Sequence, residues 1–431
     1  AMTVLCSLWS GFAGAAEGVP GASAVTVYPA AKGAPTTDKF LVTVAGKRLD
    51  IYNRGRGKDI SFATCDIHGP VTVSVTAAFL PEDAKTGFSV HPLALGIQTR
   101  KRGNRVEFQV TKPANLTILV NGDYGKNILH LFLNPPVEAP PEDAIVFGPG
   151  FHNVGYDKPL RLESGQTLHL AGGAWVVGHV RMWGAKGVEN IRITGRGVLA
   201  QDNHGGTGIW INDAKGIFIE GIIVSRTARD WCALVVNCED VTVRNYKAIS
   251  SQSAATDGFN PVNSRRVTIE DSFFHTNDDC IAIKGTMGGS VLKKLSVDPS
   301  GLPAVEDILV RRCVFWSDFN NVICIGAETR AKHFKHIRVE DCDILTDGPY
   351  RFGAISILPI HGTRIEKVVF ENIRVEKIVN RLFHFELRAN LYGGIYADWK
   401  WPGGLSNVTI RNIQVARQAG VVGLHMLHQL A

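Results

Sequence analysis

At 431 residues, with 45 glycines, 45% hydrophobic and 20% charged residues, the chain is too long for one compact domain and too apolar for a disordered or coiled-coil protein. The formal charge is only +6, and its basic residues are dispersed; the short cluster Arg100-Lys101-Arg102 reads as a solvated hairpin turn, which argues against a nucleic-acid surface. No run reaches the about 18 apolar residues of a membrane span, and the eight cysteines lack Cys-x-x-Cys spacing, against zinc or thioredoxin chemistry.

Met2 to Ala16 is apolar and ends in small residues, like the tail of a secretory signal without its basic beginning, so a secreted or periplasmic location is expected. From Ala24 onward come short alternating runs, among them Phe40-Leu41-Val42-Thr43-Val44, Val71-Thr72-Val73-Ser74-Val75 and Leu116-Thr117-Ile118-Leu119-Val120, with Gly, Asn and Pro between them. Alternation with period two and turn residues between runs predicts antiparallel strands, hence a β-sandwich. Pro135-Pro136-Val137-Glu138-Ala139-Pro140-Pro141-Glu142 then stiffens the chain and removes backbone donors, which places a boundary between a unit at 1–138 and another at 139–431.

In the second unit one shape recurs: Asn190-Ile191-Arg192-Ile193, Asp240-Val241-Thr242-Val243, Arg266-Val267-Thr268-Ile269, Asp307-Ile308-Leu309-Val310, His336-Ile337-Arg338-Val339, Lys367-Val368-Val369-Phe370 and Asn407-Val408-Thr409-Ile410. A strand-like element in every repeat, with no helical periodicity, predicts a right-handed parallel β-helix. A polar column follows these strands at Asn245, Asp271, Arg312, Asp341, Asn372 and Asn412, as expected where each coil bends. Cys313 and Cys342 hold equivalent repeat positions, as neighbouring buried thiols or as a disulfide.

The segment His275-Thr276-Asn277-Asp278-Asp279-Cys280-Ile281-Ala282-Ile283-Lys284 sets two carboxylates before an apolar triplet, with Thr256-Asp257 one repeat earlier and Asn320-Asn321 one repeat later. Coils stack at the strand spacing of about 4.8 Å, so Asp257, Asp278 and Asp279 form one acidic patch beside Trp231. Like charges that close raise at least one pKa and so supply an acid. Glycoside hydrolysis needs such an acid together with an ionised carboxylate. Adjacent strand residues point to opposite faces, so Asp278 and Asp279 share a cleft only if the pair sits in a bend. The expected protonation keeps Asp257 and Asp279 ionised and Asp278 protonated. Trp231, Asp230, Lys284, Asn321 and His275 complete the candidate substrate-binding set. The alternatives are a core Trp231, structural salt-bridge roles for Asp230 and Lys284, an ordinary surface His275, and solvated or calcium-binding bend aspartates.

These residues resemble the parallel β-helix glycoside hydrolases that include polygalacturonases and the dextranase/isopullulanase family. Asp257-Gly258 is similar to the first aspartate motif of polygalacturonases, and Asn277-Asp278-Asp279-Cys280-Ile281-Ala282-Ile283-Lys284 to the second. The resemblance implies Asp278 as general acid, and Asp257 with Asp279 as holders of the water in inverting hydrolysis. Two features depart from the polygalacturonase pattern. Asn320-Asn321-Val322 stands where those enzymes carry Gly-His-Gly, and Ala354-Ile355-Ser356 where they carry Arg-Ile-Lys. The Cys313 to Gly326 stretch and a sandwich before the helix are closer to the dextranase/isopullulanase type. The expectation is therefore an inverting hydrolase of a neutral, α-linked polysaccharide or oligosaccharide, needing no cofactor and no metal, with neither nucleic acid nor membrane as partner. The rivals are a polygalacturonase-like pectin hydrolase, a calcium-dependent lyase and a non-catalytic carbohydrate-binding β-helix. The insertions at 286–305 and 389–404, with Trp399 and Trp401, are expected to shape the cleft.

Overall fold

The computed structural model describes residues 24–54, 59–183, 186–201, 206–250, 255–285, 301–350, 352–359, 363–387, 403–418 and 421–428. Among these residues the chain is all-β, with one 3-10 turn at Leu93–Leu95 and no α-helix. The first 23 residues, and with them the signal-like stretch, lie outside the described residues, as do Trp399 and Trp401.

Two sheets form the N-terminal unit. One joins Val25–Val27, Tyr52–Arg54, Ile60–Ile67, Ile128–Asn134, Ala114–Val120 and Phe88–His91; the other joins Lys47–Leu49, Phe40–Val44, Val71–Ala77, Arg105–Val110 and Thr99–Arg102. Alternate residues of both sheets, such as Val42, Val44, Val73, Val75, Ala63, Cys65, Ile118 and Leu131, meet in a common core, the packing of a β-sandwich. The pairing is antiparallel as expected except between Ile60–Ile67 and Ile128–Asn134, which run parallel. Both of these strands are buried on every residue, so each face must meet another layer. Arg100-Lys101-Arg102 is exposed, but it lies on the strand Thr99–Arg102 leading into the hairpin rather than in the turn itself.

From Ile145 onward the described strands form one 26-stranded sheet that winds as a parallel β-helix. Each full coil contributes three strands; one of them contains Phe259–Val262, Arg265–Glu270 and Phe273–Thr276. The repeated motifs stack in register, Ile191 on Ile217, then Val241, Val267, Ile308, Ile337, Val368 and Val408. Those from Ile191 to Val368 are at most 1% exposed, and each such side chain contributes about 1.5–3 kcal/mol by burial. The coil carrying Lys215–Glu220 is absent from the sequence repeat because Gly216 stands where its equivalents are polar.

The backbone explains both. Asn190, Gly216, Asp240, Arg266, Asp307, His336, Lys367 and Asn407 all have φ between 52° and 69°. The polar column Asn245, Asp271, Arg312, Asp341, Asn372 and Asn412 is left-handed too, at φ 51–54°. From Gly216 to Asn412 each coil of the described residues thus turns twice through a conformation that Gly, Asn and Asp adopt at least cost. Bend geometry, rather than stacked side-chain bonding alone, selects the column.

The sandwich covers one outer face of the coil. Ile60, Phe62, Leu119, Ile128 and Phe132 pack on Trp175, Val198, Ile223, Ile249, Phe273, Val314 and Trp316. Within that contact Arg196 Nε donates to Asp66 Oδ1 at 2.8 Å, both side chains being at most 2% exposed.

Candidate active site

The bend between Phe273–Thr276 and Ile281–Ile283 carries Asn277, Asp278, Asp279 and Cys280, so the adjacent aspartates are on a turn and not on a flat strand. Thr276 Oγ1 (2.7 Å) and Ser317 Oγ (3.3 Å) donate to the Asp278 carbonyl and hold the turn from both sides. Backbone bonds stack the neighbouring bends: Cys232 N–H donates to Asp257 O, Gly258 N–H to Asp279 O and Cys280 N–H to Asn321 O. Trp231, Asp257, Asp279 and Asn321 therefore follow one another on consecutive coils, with Asp278 alongside. One oxygen from each of Asp257, Asp278 and Asp279 lies within 4.8 Å of the other two.

Asp257 is 2% exposed; its Oδ2 accepts from Asn260 Nδ2 at 2.7 Å and Lys284 Nζ at 3.1 Å. Asp279, 6% exposed, accepts at Oδ1 from Asn321 Nδ2 (2.7 Å) and Asn321 N–H (3.2 Å). Asp278 is the more open member. Asn320 Nδ2 (2.7 Å) and Asp279 N–H (3.1 Å) donate to its Oδ1, and Ala255 N–H (2.9 Å) donates to its Oδ2.

Burial pushes the Asp257 carboxyl up to about 7; Lys284 opposes this and the Asp278 charge adds to it. Burial likewise raises Asp279 well above the usual carboxylate range, reinforced by Asp278 and Asp257. This corrects the expectation that Asp257 and Asp279 both stay ionised. In the resting site, desolvation outweighs the neighbouring donors, and the inner pair competes for protons.

The other candidates separate clearly. Lys284 works against its own burial, but Asp257, Glu328 and Asp279 hold its pKa well above the ordinary lysine value. Its ammonium sits 4.3 Å from the centre of the half-buried Trp231 ring, so Trp231 is neither core nor free. Asp230 braces its own bend: at φ 116° its Oδ1 accepts from Trp231 N–H (2.8 Å) and Thr207 Oγ1 (3.0 Å). His275 is neither a surface histidine nor a substrate contact. Strand alternation puts Phe274 inside the coil and His275 outside, under the sandwich, where it is fully buried against His130 and Asp318. Cys313 and Cys342 are buried free thiols, not a disulfide.

Several contacts escaped the sequence reading. Ser356 Oγ donates to Asn321 Oδ1 at 2.8 Å, which fixes the amide that grips Asp279. Phe319 and Tyr350, 40% and 37% exposed, stack on each other with ring centres 4.5 Å apart, and Phe319 adjoins Asn320. Arg381, whose carbonyl receives Ala354 N–H, places a cation further along the same edge of the coil. Only the tie of Asn320 to the aspartate motif could have flagged the aromatic pair; Tyr350 and Arg381 lie in no repeat motif.

Residues 201–383 match the family described as Glycosyl hydrolases family 28. That segment is a glycoside hydrolase domain carried on a parallel β-helix. The matched segment of this hydrolase contains all three aspartates, Lys284, Asn321, Ser356 and Arg381. Among solved structures, "Dex49A from Penicillium minioluteum" superposes with a TM-score of 0.58 at 14% identity, covering 91% of each chain, which is a likeness of fold. The Yersinia enterocolitica family 28 exopolygalacturonase gives 0.49 at 12% identity over 88% of this chain and 91% of that one. No curated protein matches the chain.

Proposed function

We propose that this hydrolase cleaves a neutral, α-linked polysaccharide or oligosaccharide with inversion, with Asp278 as general acid and Asp257 and Asp279 as the pair that activates water. The observation that carries the reading is the three-carboxylate cluster on adjacent coils, flanked by neutral Ala354 and Ser356. Asp278 donates its proton to the glycosidic oxygen as the bond to the anomeric carbon breaks. Water, losing a proton to the inner pair, adds to that carbon from the opposite face. Charge on the sugar ring builds up as an oxocarbenium-like transition state, which the surrounding carboxylates stabilise.

One oxygen of each carboxyl lies within 4.8 Å of the other two, a contact compatible with either usual separation of the carboxyl groups, about 5–5.5 Å for retention and about 6.5–9.5 Å for inversion. Separation alone therefore does not choose the stereochemistry. What supports inversion is the pairing, since two buried carboxylates beside one another can hold a water between them. Water donating to the inner pair also favours its ionised form, the state that a base requires.

Phe319 with Tyr350 on one side and Trp231 on the other offer apolar faces for sugar rings. Arg381 favours a second reading, an anionic glycan, since it could meet a uronate where the two neutral positions cannot. Assay of wild type and Asp278→Asn on dextran, pullulan and polygalacturonate separates the two. Cleavage of polygalacturonate alone would overturn the neutral substrate, and a product of retained anomeric configuration, read by proton NMR at early times, would overturn inversion. Asp278→Asn is expected to lose about 10²–10⁴-fold on ordinary glycosides while keeping much of its activity on a substrate with an activated leaving group.

A further inference from the structure

The bend holding Asp278 and Asp279 is joined to the sandwich by a chain of buried polar side chains that take no part in the reaction above. Asp318 Oδ1 accepts from Trp316 Nε1 at 2.7 Å, and its Oδ2 lies 3.0 Å from His275 Nε2. His275 Nδ1 is 2.7 Å from His130 Nε2, and His130 Nδ1 is 2.9 Å from Thr117 Oγ1. Thr117, His130 and His275 are completely buried, and the Asp318 side chain is 2% exposed. Ring contacts fix the orientations: His275 stacks on Trp316 with centres 4.8 Å apart, and His130 meets Phe273 at 4.7 Å.

These contacts have one consistent proton order when both rings are neutral. A carboxylate only accepts, so His275 carries its proton on Nε2; its Nδ1 then accepts from His130 Nε2–H, and His130 Nδ1 accepts from the Thr117 hydroxyl. Burial, and then the neighbouring His275, hold the His130 pKa well below the ordinary histidine value, which suits this order.

Asp318 opens the stretch that grips the carboxylates. Its own N–H donates to Thr276 O at 2.8 Å, two residues before Asp278. Two and three residues further on, Asn320 and Asn321 donate to Asp278 Oδ1 and Asp279 Oδ1. We propose that His130 of the sandwich is a positioning residue for the hydrolytic site: through His275 it orients Asp318, and with it the Asn320–Asn321 pair that places the two carboxylates. The assignment rests on the reading that Asp278 and Asp279 carry the chemistry.

The test combines kinetics with histidine nitrogen NMR on the full chain. His130→Phe keeps a ring among Phe132 and Phe273 but removes both nitrogens, whereas His130→Gln keeps an amide N–H near the Nε2 position. His130→Phe is expected to lower kcat about tenfold to a hundredfold with KM changed less than about twofold, since small misplacements cost that much; His130→Gln should regain most of it. In the wild type, nitrogen-15 shifts should report Nε2–H tautomers for both His130 and His275. Asp318→Asn turns the first acceptor into a donor, so both tautomers should reverse to Nδ1–H, with Thr117 Oγ1 accepting at the far end.

Wild-type kcat in His130→Phe, an equal loss in both His130 variants, a change in KM alone, or a wild-type His275 protonated on Nδ1 would each overturn the proposal. If His130→Phe does not fold, His130→Gln and the wild-type and Asp318→Asn spectra still decide it. Undiminished activity in Asp278→Asn, with the tautomers as stated, would instead remove the catalytic reading on which the assignment rests.

Discussion

At the residue scale the site is governed by desolvation. Asp257 and Asp279 are buried beside each other and beside Asp278, so their carboxyl groups are raised, Asp257 to about 7. The pH dependence follows in sign. A base must be ionised to work, so kcat/KM, which reports the free enzyme, should rise with pH along an acidic limb lying well above the ordinary carboxylate value of about 4. That limb belongs to the coupled cluster rather than to one residue. Lys284 is the cation that lowers Asp257. Lys284→Met should therefore move the acidic limb to higher pH, and a pH–rate profile of the variant in which the limb stays or moves down would contradict this account. The two aspartate motifs were legible in sequence because residue type and spacing survive without coordinates. The order of their proton affinities was not, because it depends on how far each carboxyl lies from water.

At the scale of the element, the repeat is held by bends as much as by strands. Lys367 is exposed at φ 56° on the left-handed column. Lys367→Asn should keep or raise stability, and Lys367→Val, whose branched Cβ crowds the left-handed backbone further, should lower it, measurable as a shift in denaturant midpoint at unchanged slope. The motif periodicity was readable wherever a polar residue marked the bend; Gly216 and Gly221 hid one coil, since glycine satisfies the same backbone without a recognisable side chain. Neighbouring bends also set the aromatic pair. Tyr350 N–H donates to Phe319 O at 2.9 Å, bringing two rings distant in sequence onto one rim. Phe319→Ala and Tyr350→Ala should raise KM for the glycan several-fold, with a smaller effect on kcat, as expected for stacking worth about 0.5–1.5 kcal/mol. Unchanged KM in both would show that no sugar rests there.

For the whole molecule, the sandwich acts as a second wall of the coil. Its inner sheet is buried on both faces, one against the other sheet and one against Trp175, Phe273 and Trp316. The buried Arg196–Asp66 pair crosses that contact, and Asp66 also accepts from Tyr28 Oη at 2.8 Å and Val137 N–H at 2.9 Å. Arg196→Met leaves a buried carboxylate without its cation and should cost about 3–5 kcal/mol, seen as a lower unfolding midpoint; an unchanged midpoint would contradict this. Endo and exo action differ in products, a ladder of oligosaccharides against one small product from the outset, and a product time course distinguishes them.

The amino-acid sequence by itself determined the architecture and the acidic motifs. Alternation, bend residues and repeat spacing are local consequences of strand geometry, and Asp257, Asp278, Asp279 and Asn321 sit at repeat-equivalent places. Tertiary structure alone decided the fate of His275, because its face of the strand is solvent or core according to what docks there, and only the sandwich supplies His130. It also decided that Ser356 meets Asn321, that Lys284 lies over Trp231, and that the inner carboxyls rather than the outer one lose the most water. Each of these depends on a contact between segments far apart in the chain, which neither residue type nor spacing encodes.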